Sequence, residues 1–180
     1  EGKIEYTKNN EICKVANNQK LVFTLRIFNE GEKQTLGRDV YEYIPEGLEF
    51  ITDSTINKEN EWKMYKQDKA GNLVEVENIK DATVLKTDKL RNEQIDGFDI
   101  NNNELPKYKD IQIEFKVNEN KVKDENRVIT NIAKIESTRL EKNQENDKSG
   151  EKVQVKQFDL ELVKYIKEIK IKEIGRAHVW

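Results

Sequence analysis

The chain has 180 residues, of which 35% are hydrophobic and 37% charged, and a formal net charge of −3. Its length suits one ordinary domain with its own core, which needs neither disulfides nor metals. Acidic and basic residues alternate along the whole sequence, so nothing resembles a phosphate-binding surface and no nucleic-acid partner is expected. The single cysteine, Cys13, excludes an intrachain disulfide and is predicted to be buried or half-buried.

The two ends of the sequence carry no targeting signal. No run approaches the roughly 18 consecutive apolar residues of a membrane span, and no basic-then-apolar signal pattern opens the chain. Because the chain starts at Glu1 rather than methionine, we expect the flanking segments that attach it to a membrane or wall to lie outside it. Residues 173–180, which contain the only histidine, resemble the translation of a common sequencing adapter and are predicted to be a non-native tail.

Strict alternation predicts a strand over residues 21–28, with turn residues at 29–32. A second extended run covers 39–44, ends in a Pro-Glu-Gly turn at 45–47 and resumes at 48–51. The next pair of runs, 61–65 and 73–76, flanks a Gly-Asn turn and predicts a hairpin. The apolar face of the first strand consists of Leu21, Phe23, Leu25 and Ile27.

In the second half of the chain, the hydrophobic alternation is clear in some segments and weak in others. Residues 78–104 alternate weakly and support no element, whereas 111–117 and 128–135 alternate as half-buried strands do. The polar stretch 141–151 is predicted to be a solvated loop or a linker. Residues 153–155 recover a strand pattern, and another strand is predicted at 158–166, with a helix over 160–171 as the competing interpretation.

Many short strands with turn signals between them predict an all-β protein. The specific prediction is an immunoglobulin-like β-sandwich of Greek-key type, incomplete at its N-terminus, with about seven to nine strands. Its core is expected to contain Phe23, Leu25, Ile27, Ile113, Phe115 and Ile129.

Four stretches resemble the repeat domains of Gram-positive, clostridial-type cell-surface proteins, the family called DUF11 or conserved-repeat domain. They are VFTLRIFNEG at 22–31, YEYIPEGLEF at 41–50, TNIAK at 130–134 and FDLELVKYI at 158–166. In that family a similar segment, FDLALRKFI, opens each repeat. The resemblance therefore implies that residues 1–156 are one repeat without its first strand, and that 157–172 open a following repeat.

Some surface domains of this type carry a Lys–Asn isopeptide bond promoted by a buried carboxyl group. The resemblance assigns Lys164 as nucleophile, Glu42 as proton shuttle and Asn131 as acceptor amide. Glu42 stands where the family has Asp, and Lys164 belongs to the following repeat, so the lysine expected to pair with Asn131 lies upstream of Glu1. The alternative is that Asn131 bonds neighbouring backbone, Glu42 is partly solvated at a strand edge, and Lys164 is a solvated strand lysine.

These features predict a non-enzymatic structural module, without a cofactor or metal, in a stalk or adhesin on the cell surface or wall of a Gram-positive bacterium. Its expected partners are neighbouring repeats of the same chain. The alternative is a binding module whose sandwich-end loops recognise a host protein or glycan.

An exposed aromatic patch at Trp62 and Tyr65 would favour binding, although a core tryptophan is the commoner outcome. The acidic stretch 96–101 with Asp110 matches no calcium loop and is predicted to be polar surface.

Overall fold

The computed structural model describes residues 12–99, 101, 105–136 and 147–156. This part of the protein is all-β apart from one α-helix and short 3-10 turns. None of its helices is long and apolar enough to cross a membrane. The elements are β1 (Cys13–Val15), β2 (Lys20–Asn29), β3 (Thr35–Leu36), β4 (Val40–Tyr43), β5 (Leu48–Phe50), α1 (Thr55–Glu59), β6 (Lys63–Gln67), β7 (Leu73–Glu75), β8 (Val84–Thr87), β9 (Gln94–Ile95), β10 (Lys107–Val117), β11 (Val128–Ile135) and β12 (Lys148–Val155).

The strands form a seven-stranded sheet in the order β1-β12-β11-β4-β8-β6-β7 and a three-stranded sheet in the order β2-β10-β5. A small third sheet pairs β3 with β9. All pairings are antiparallel except that of β1 with β12, which is parallel. Strands β4 and β11 therefore lie side by side in the middle of the large sheet.

One hydrophobic core joins the two larger sheets. The three-stranded sheet contributes mainly the inner face of β10, where every second residue from Ile111 to Val117 is apolar and at most 1% exposed. Alternation is expected to bury one side of a strand in this way, because successive side chains point to opposite faces. The fully buried side chains from the two sheets include Val15, Val40, Leu85, Ile111, Ile113, Phe115, Val117 and Val155.

The turn after β4 requires glycine. Gly47 has a φ of +97°, and a Cβ built there would come within 2.7 Å of both Ile129 and Val122. Gly71 in the β6–β7 turn also has a positive φ, +89°. Both turns were expected from the sequence, and both use glycine for a positive φ that other residues rarely adopt.

Most of the predicted strands are confirmed, including the hairpin and the two strands of the C-terminal half. The predicted core is confirmed for Ile113, Phe115 and Ile129, which are buried, while the β2 side chains Phe23, Leu25 and Ile27 are only half-buried. Five elements were not predicted: the helix α1 and the strands β1, β3, β8 and β9, of which β8 is an interior strand of the large sheet.

Three predictions were wrong. The described residues already contain twelve strands, whereas seven to nine were expected, because short pairings such as that of β3 with β9 leave no alternating pattern in the sequence. The stretch 141–151 was expected to be a loop, but it is already strand from Lys148. Its backbone pairs with β11, and this long-range pairing is not visible in its polar sequence. Cys13 is exposed rather than buried, because it is the first residue of an edge strand and few side chains cover it. The strand predicted at 158–166 lies outside the described residues.

Candidate cross-link site

Glu42 is a fully buried acid in the centre of the seven-stranded sheet. Its strand β4 lies between β11 and β8, where Glu42 is directly opposite Ala133 on one side and Leu85 on the other. Its side chain is 0% exposed. The alternation that points Val40 into the core points Glu42 in the same direction. The interpretation of Glu42 as a partly solvated edge residue is therefore wrong.

Asn131 lies on the neighbouring strand, on the same face. It is two residues before Ala133 on β11, which makes it a diagonal neighbour of Glu42, at a spacing that long side chains can bridge. Asn131 is 4% exposed. The structure thus brings two of the three predicted site residues together, and the third, Lys164, lies outside the described residues.

Neither side chain is satisfied. Both carboxyl oxygens of Glu42 and the Oδ1 atom of Asn131 are buried without a hydrogen-bond partner in the described part of the chain. Buried polar atoms are almost always bonded, since an unpaired one costs about 1–3 kcal/mol. The site thus holds three open acceptor atoms, and the donors of the pair itself are the Asn131 Nδ2 amide and, when Glu42 is protonated, its own O–H.

Two other buried asparagines show what a satisfied amide looks like in this protein. Asn57 donates from Nδ2 to the carbonyls of Ile51 and Glu114, at 2.9 Å each, and accepts the Glu114 N–H at 2.7 Å. Asn29 donates to backbone carbonyls, including Ile95 at 3.0 Å, and accepts from Gly31. Both of these side-chain amides are bonded to backbone groups. The unbonded Oδ1 atom of Asn131 therefore differs from the other buried asparagines of this fold.

Burial controls the charge state of Glu42. Loss of solvation raises its pKa from 4.5 to about 7, and the nearby Asn131 amide opposes part of this rise. A carboxyl group with that pKa is largely protonated at mildly acidic pH and about half protonated near neutrality. It can therefore donate a hydrogen bond to an amide oxygen and also accept a proton from a nucleophile.

A second buried acid lies three residues before Glu42 and was not identified from the sequence. Asp39 is 0% exposed and is bound by the guanidinium of Arg91 and by Lys86 Nζ, the latter at 2.7 Å. Burial raises the pKa of Asp39, but the hydrogen bonds from Arg91 and Lys86 more than offset it, so the pKa is lowered. The two cations come from the weakly alternating region 78–104, which is why spacing gave no signal for this cluster.

Trp62 and Tyr65 do not form an exposed aromatic patch. Trp62 is 8% exposed and donates from Nε1 to the Gln112 carbonyl at 2.7 Å, while Tyr65 is half-buried. The commoner outcome, a core tryptophan, is confirmed.

Asp110, which the sequence analysis considered with the acidic stretch 96–101, pairs with Arg26 through two 2.8 Å hydrogen bonds. The described ranges contain no group of three or more His, Cys, Asp or Glu residues that could hold a metal ion.

No family model, no curated protein and no solved structure matches this chain. The resemblance to surface-protein repeats therefore stays a prediction based on the four stretches of sequence. The buried Glu42–Asn131 pair does not depend on that resemblance, because it follows from strand register, burial and missing hydrogen bonds.

Proposed function

We propose that this chain is a structural repeat module of a bacterial cell-surface protein, with an immunoglobulin-like sandwich fold and an internal Lys–Asn isopeptide cross-link. The observation that carries the proposal is the buried pair of Glu42 and Asn131, whose carboxyl oxygens and Oδ1 atom have no hydrogen-bond partner in the described part of the chain. A lysine amine beside this pair would have hydrogens to donate to these atoms and can act as a nucleophile.

The arrangement of the sheets supports the fold part of the proposal. Two sheets share one core, and a short first strand pairs in parallel with the last strand of an otherwise antiparallel sheet. A module of this kind is stiff, because its strands are tied by long antiparallel ladders such as that of β2 with β10. Stiff modules in series make a stalk that holds a distal domain away from the cell wall.

The chemistry needs no external reagent. A buried lysine is partly neutral because burial lowers its pKa, and its Nζ attacks Cγ of Asn131. One proton passes from Nζ through Glu42 to Nδ2, the Cγ–Nδ2 bond breaks, and ammonia leaves. The new Nζ–Cγ bond is an amide, so amine and carboxamide give a secondary amide and ammonia with no oxidation or reduction. Protonated Glu42 bonded to Oδ1 stabilises the charge that develops on that oxygen.

The same geometry does not support the binding-module alternative. The feature that would favour it, an exposed patch at Trp62 and Tyr65, is replaced by a buried indole bonded to the backbone. The structural role therefore needs fewer assumptions than recognition of a host ligand.

Peptide mapping of the purified chain tests the proposal. We expect a tryptic peptide containing Asn131 to be joined to a lysine peptide, with a combined mass lower by one ammonia. Asn131→Ala should abolish the branched peptide, and Glu42→Ala should abolish or greatly slow its formation. Asn57→Asp serves as the matched control, since Asn57 is also buried but fully bonded, and it should leave the branched peptide in the folded fraction. A folded wild-type chain that keeps its full mass in every oligomeric form would contradict the cross-link.

A further inference from the structure

The first and last strands of the described part of the chain, β1 and β12, lie side by side. The register places Cys13 opposite Val153 and Val15 opposite Val155, and the Lys156 N–H extends the pairing by a 2.9 Å bond to the Val15 carbonyl. This pairing is parallel, whereas the other strand pairings within the described residues are antiparallel. The N-terminal end of β1 and the C-terminal end of β12 therefore lie at opposite ends of one short ladder.

This parallel arrangement decides how tension acts on the two strands. Tension between Cys13 and Lys156 pulls β1 towards its N-terminal end and β12 towards its C-terminal end, so the strands must slide past each other. Sliding loads all the hydrogen bonds between the strands at once. In an antiparallel pair the same two strand ends would meet at one end of the ladder, and the bonds would break one after another.

Buried side chains add to the resistance of the pair. Val15 is 0%, Val155 1% and Val153 5% exposed, and all three belong to the hydrophobic core. Sliding β1 along β12 has to draw Val15 out of this core while the backbone bonds break, and exposing an apolar side chain to water is unfavourable. On its other side β12 pairs with β11 over seven residue pairs, against three with β1. Under tension β12 therefore stays in the sheet, and β1 is the strand that detaches.

We propose that the β1–β12 pair is a mechanical clamp, which resists tension along the chain because that tension loads the pair in shear. The resistance is a property of the described strands, whereas its use in a cell-surface stalk rests on the proposed function. A module in a stalk carries tension between its two ends. The rate of forced unfolding, rather than the equilibrium stability, then decides how long the module stays folded.

Single-molecule pulling with optical tweezers tests the clamp on the full chain. Cys13 is exposed and is the only cysteine, so it provides one attachment point, and an exposed lysine changed to cysteine, Lys156→Cys or Lys152→Cys, provides the other. Residue 156 lies about 10 Å from Cys13 along the strands and about 5 Å across them, whereas residue 152 lies about 3 Å along and about 5 Å across. The first pair of attachment points therefore shears β1 against β12, and the second peels the two strands apart.

We expect the force of the first opening event to be roughly threefold higher in the shearing geometry, because three residue pairs then share the load. Both cysteine variants also carry Lys164→Met, so that a cross-link through Lys164 bears none of the load. Equal thermal unfolding of the two variants will show that they differ only in the direction of pulling. Equal opening forces in the two geometries would overturn the clamp.

Two matched core substitutions separate mechanical resistance from overall stability. Val15→Ala lies in the clamp and Val84→Ala lies in β8, outside it; both valines are at most 2% exposed, and both changes remove the same atoms. Each should lower the temperature of thermal unfolding, since each leaves a small cavity in the core. Only Val15→Ala should lower the opening force in the shearing geometry. A force that falls equally in both variants, or in neither, would overturn the clamp.

Peptide mapping of the chain that retains Lys164 shows separately whether the cross-link forms. A branched peptide together with equal opening forces in the two geometries supports the cross-link and contradicts the clamp. A higher shearing force in a chain that yields no branched peptide supports the clamp and contradicts the cross-link.

Discussion

Asp39, which directly precedes β4, and Glu42, which lies within β4, are two fully buried acids. Asp39 is bound by Arg91 and Lys86, and its pKa is lowered. Glu42 has no cation beside it in the described part of the chain, and burial raises its pKa to about 7. Burial alone therefore does not decide the state of an acid. A paired acid fixes structure, whereas an unpaired one holds a proton and stays available for chemistry.

The pH dependence of stability should show the largest difference between the two acids. Folded Glu42 binds its proton more tightly than unfolded Glu42, since its pKa rises from 4.5 to about 7. Its contribution is fully present below about pH 4.5 and is lost as pH rises through about 7, a fall of about 3 kcal/mol in the free energy of unfolding. Urea unfolding in a Lys164→Met background, where Lys164 cannot supply an amine, measures this fall.

Adding Glu42→Gln to that background should remove the fall, because glutamine does not titrate. Glu77→Gln, at an exposed position, is the control and should leave it unchanged. Equal pH profiles with and without Glu42→Gln would show that Glu42 does not hold its proton in the folded protein.

The next largest effect should come from the paired acid. Asp39→Asn leaves Lys86 and Arg91 without their common carboxylate, and we expect a loss of about 2 kcal/mol near neutral pH. The loss stays below that of a fully buried pair because Arg91 is 49% and Lys86 24% exposed. Denaturant unfolding measures it, with the exposed Asp53→Asn as control. A change no larger than that of the control would mean that the cluster contributes little to stability.

The smallest effect should be a shift in the titration of Glu42 itself. The Asn131 amide lowers the pKa of Glu42, so Asn131→Ala in the Lys164→Met background should move the titration midpoint to higher pH. Carbon-13 NMR of the carboxyl group reports this midpoint directly. Thr130→Ala changes the adjacent, exposed residue of β11 and should not move it. A midpoint that falls or stays constant would show that the amide does not act on Glu42.

The site could be predicted in part from the sequence. Alternation located the two strands, and the resemblance assigned Glu42 and Asn131 to one site. It could not show that the two strands are neighbours, nor that Ala133 rather than Asn131 lies directly opposite Glu42. The Asp39 cluster gave no signal, because its cations come from residues 47 and 52 positions away in sequence.

The sequence by itself determined the all-β class, most strand positions and the glycine turns, because these depend on local alternation and local backbone preference. The tertiary structure alone decided the rest. It made a strand of the polar residues from Lys148, through pairing with β11, and placed the weakly patterned β8 in the middle of the large sheet. Within the described residues it also left the carboxyl oxygens of Glu42 without a hydrogen-bond partner, because this depends on which strands become neighbours, a long-range outcome that no local pattern encodes.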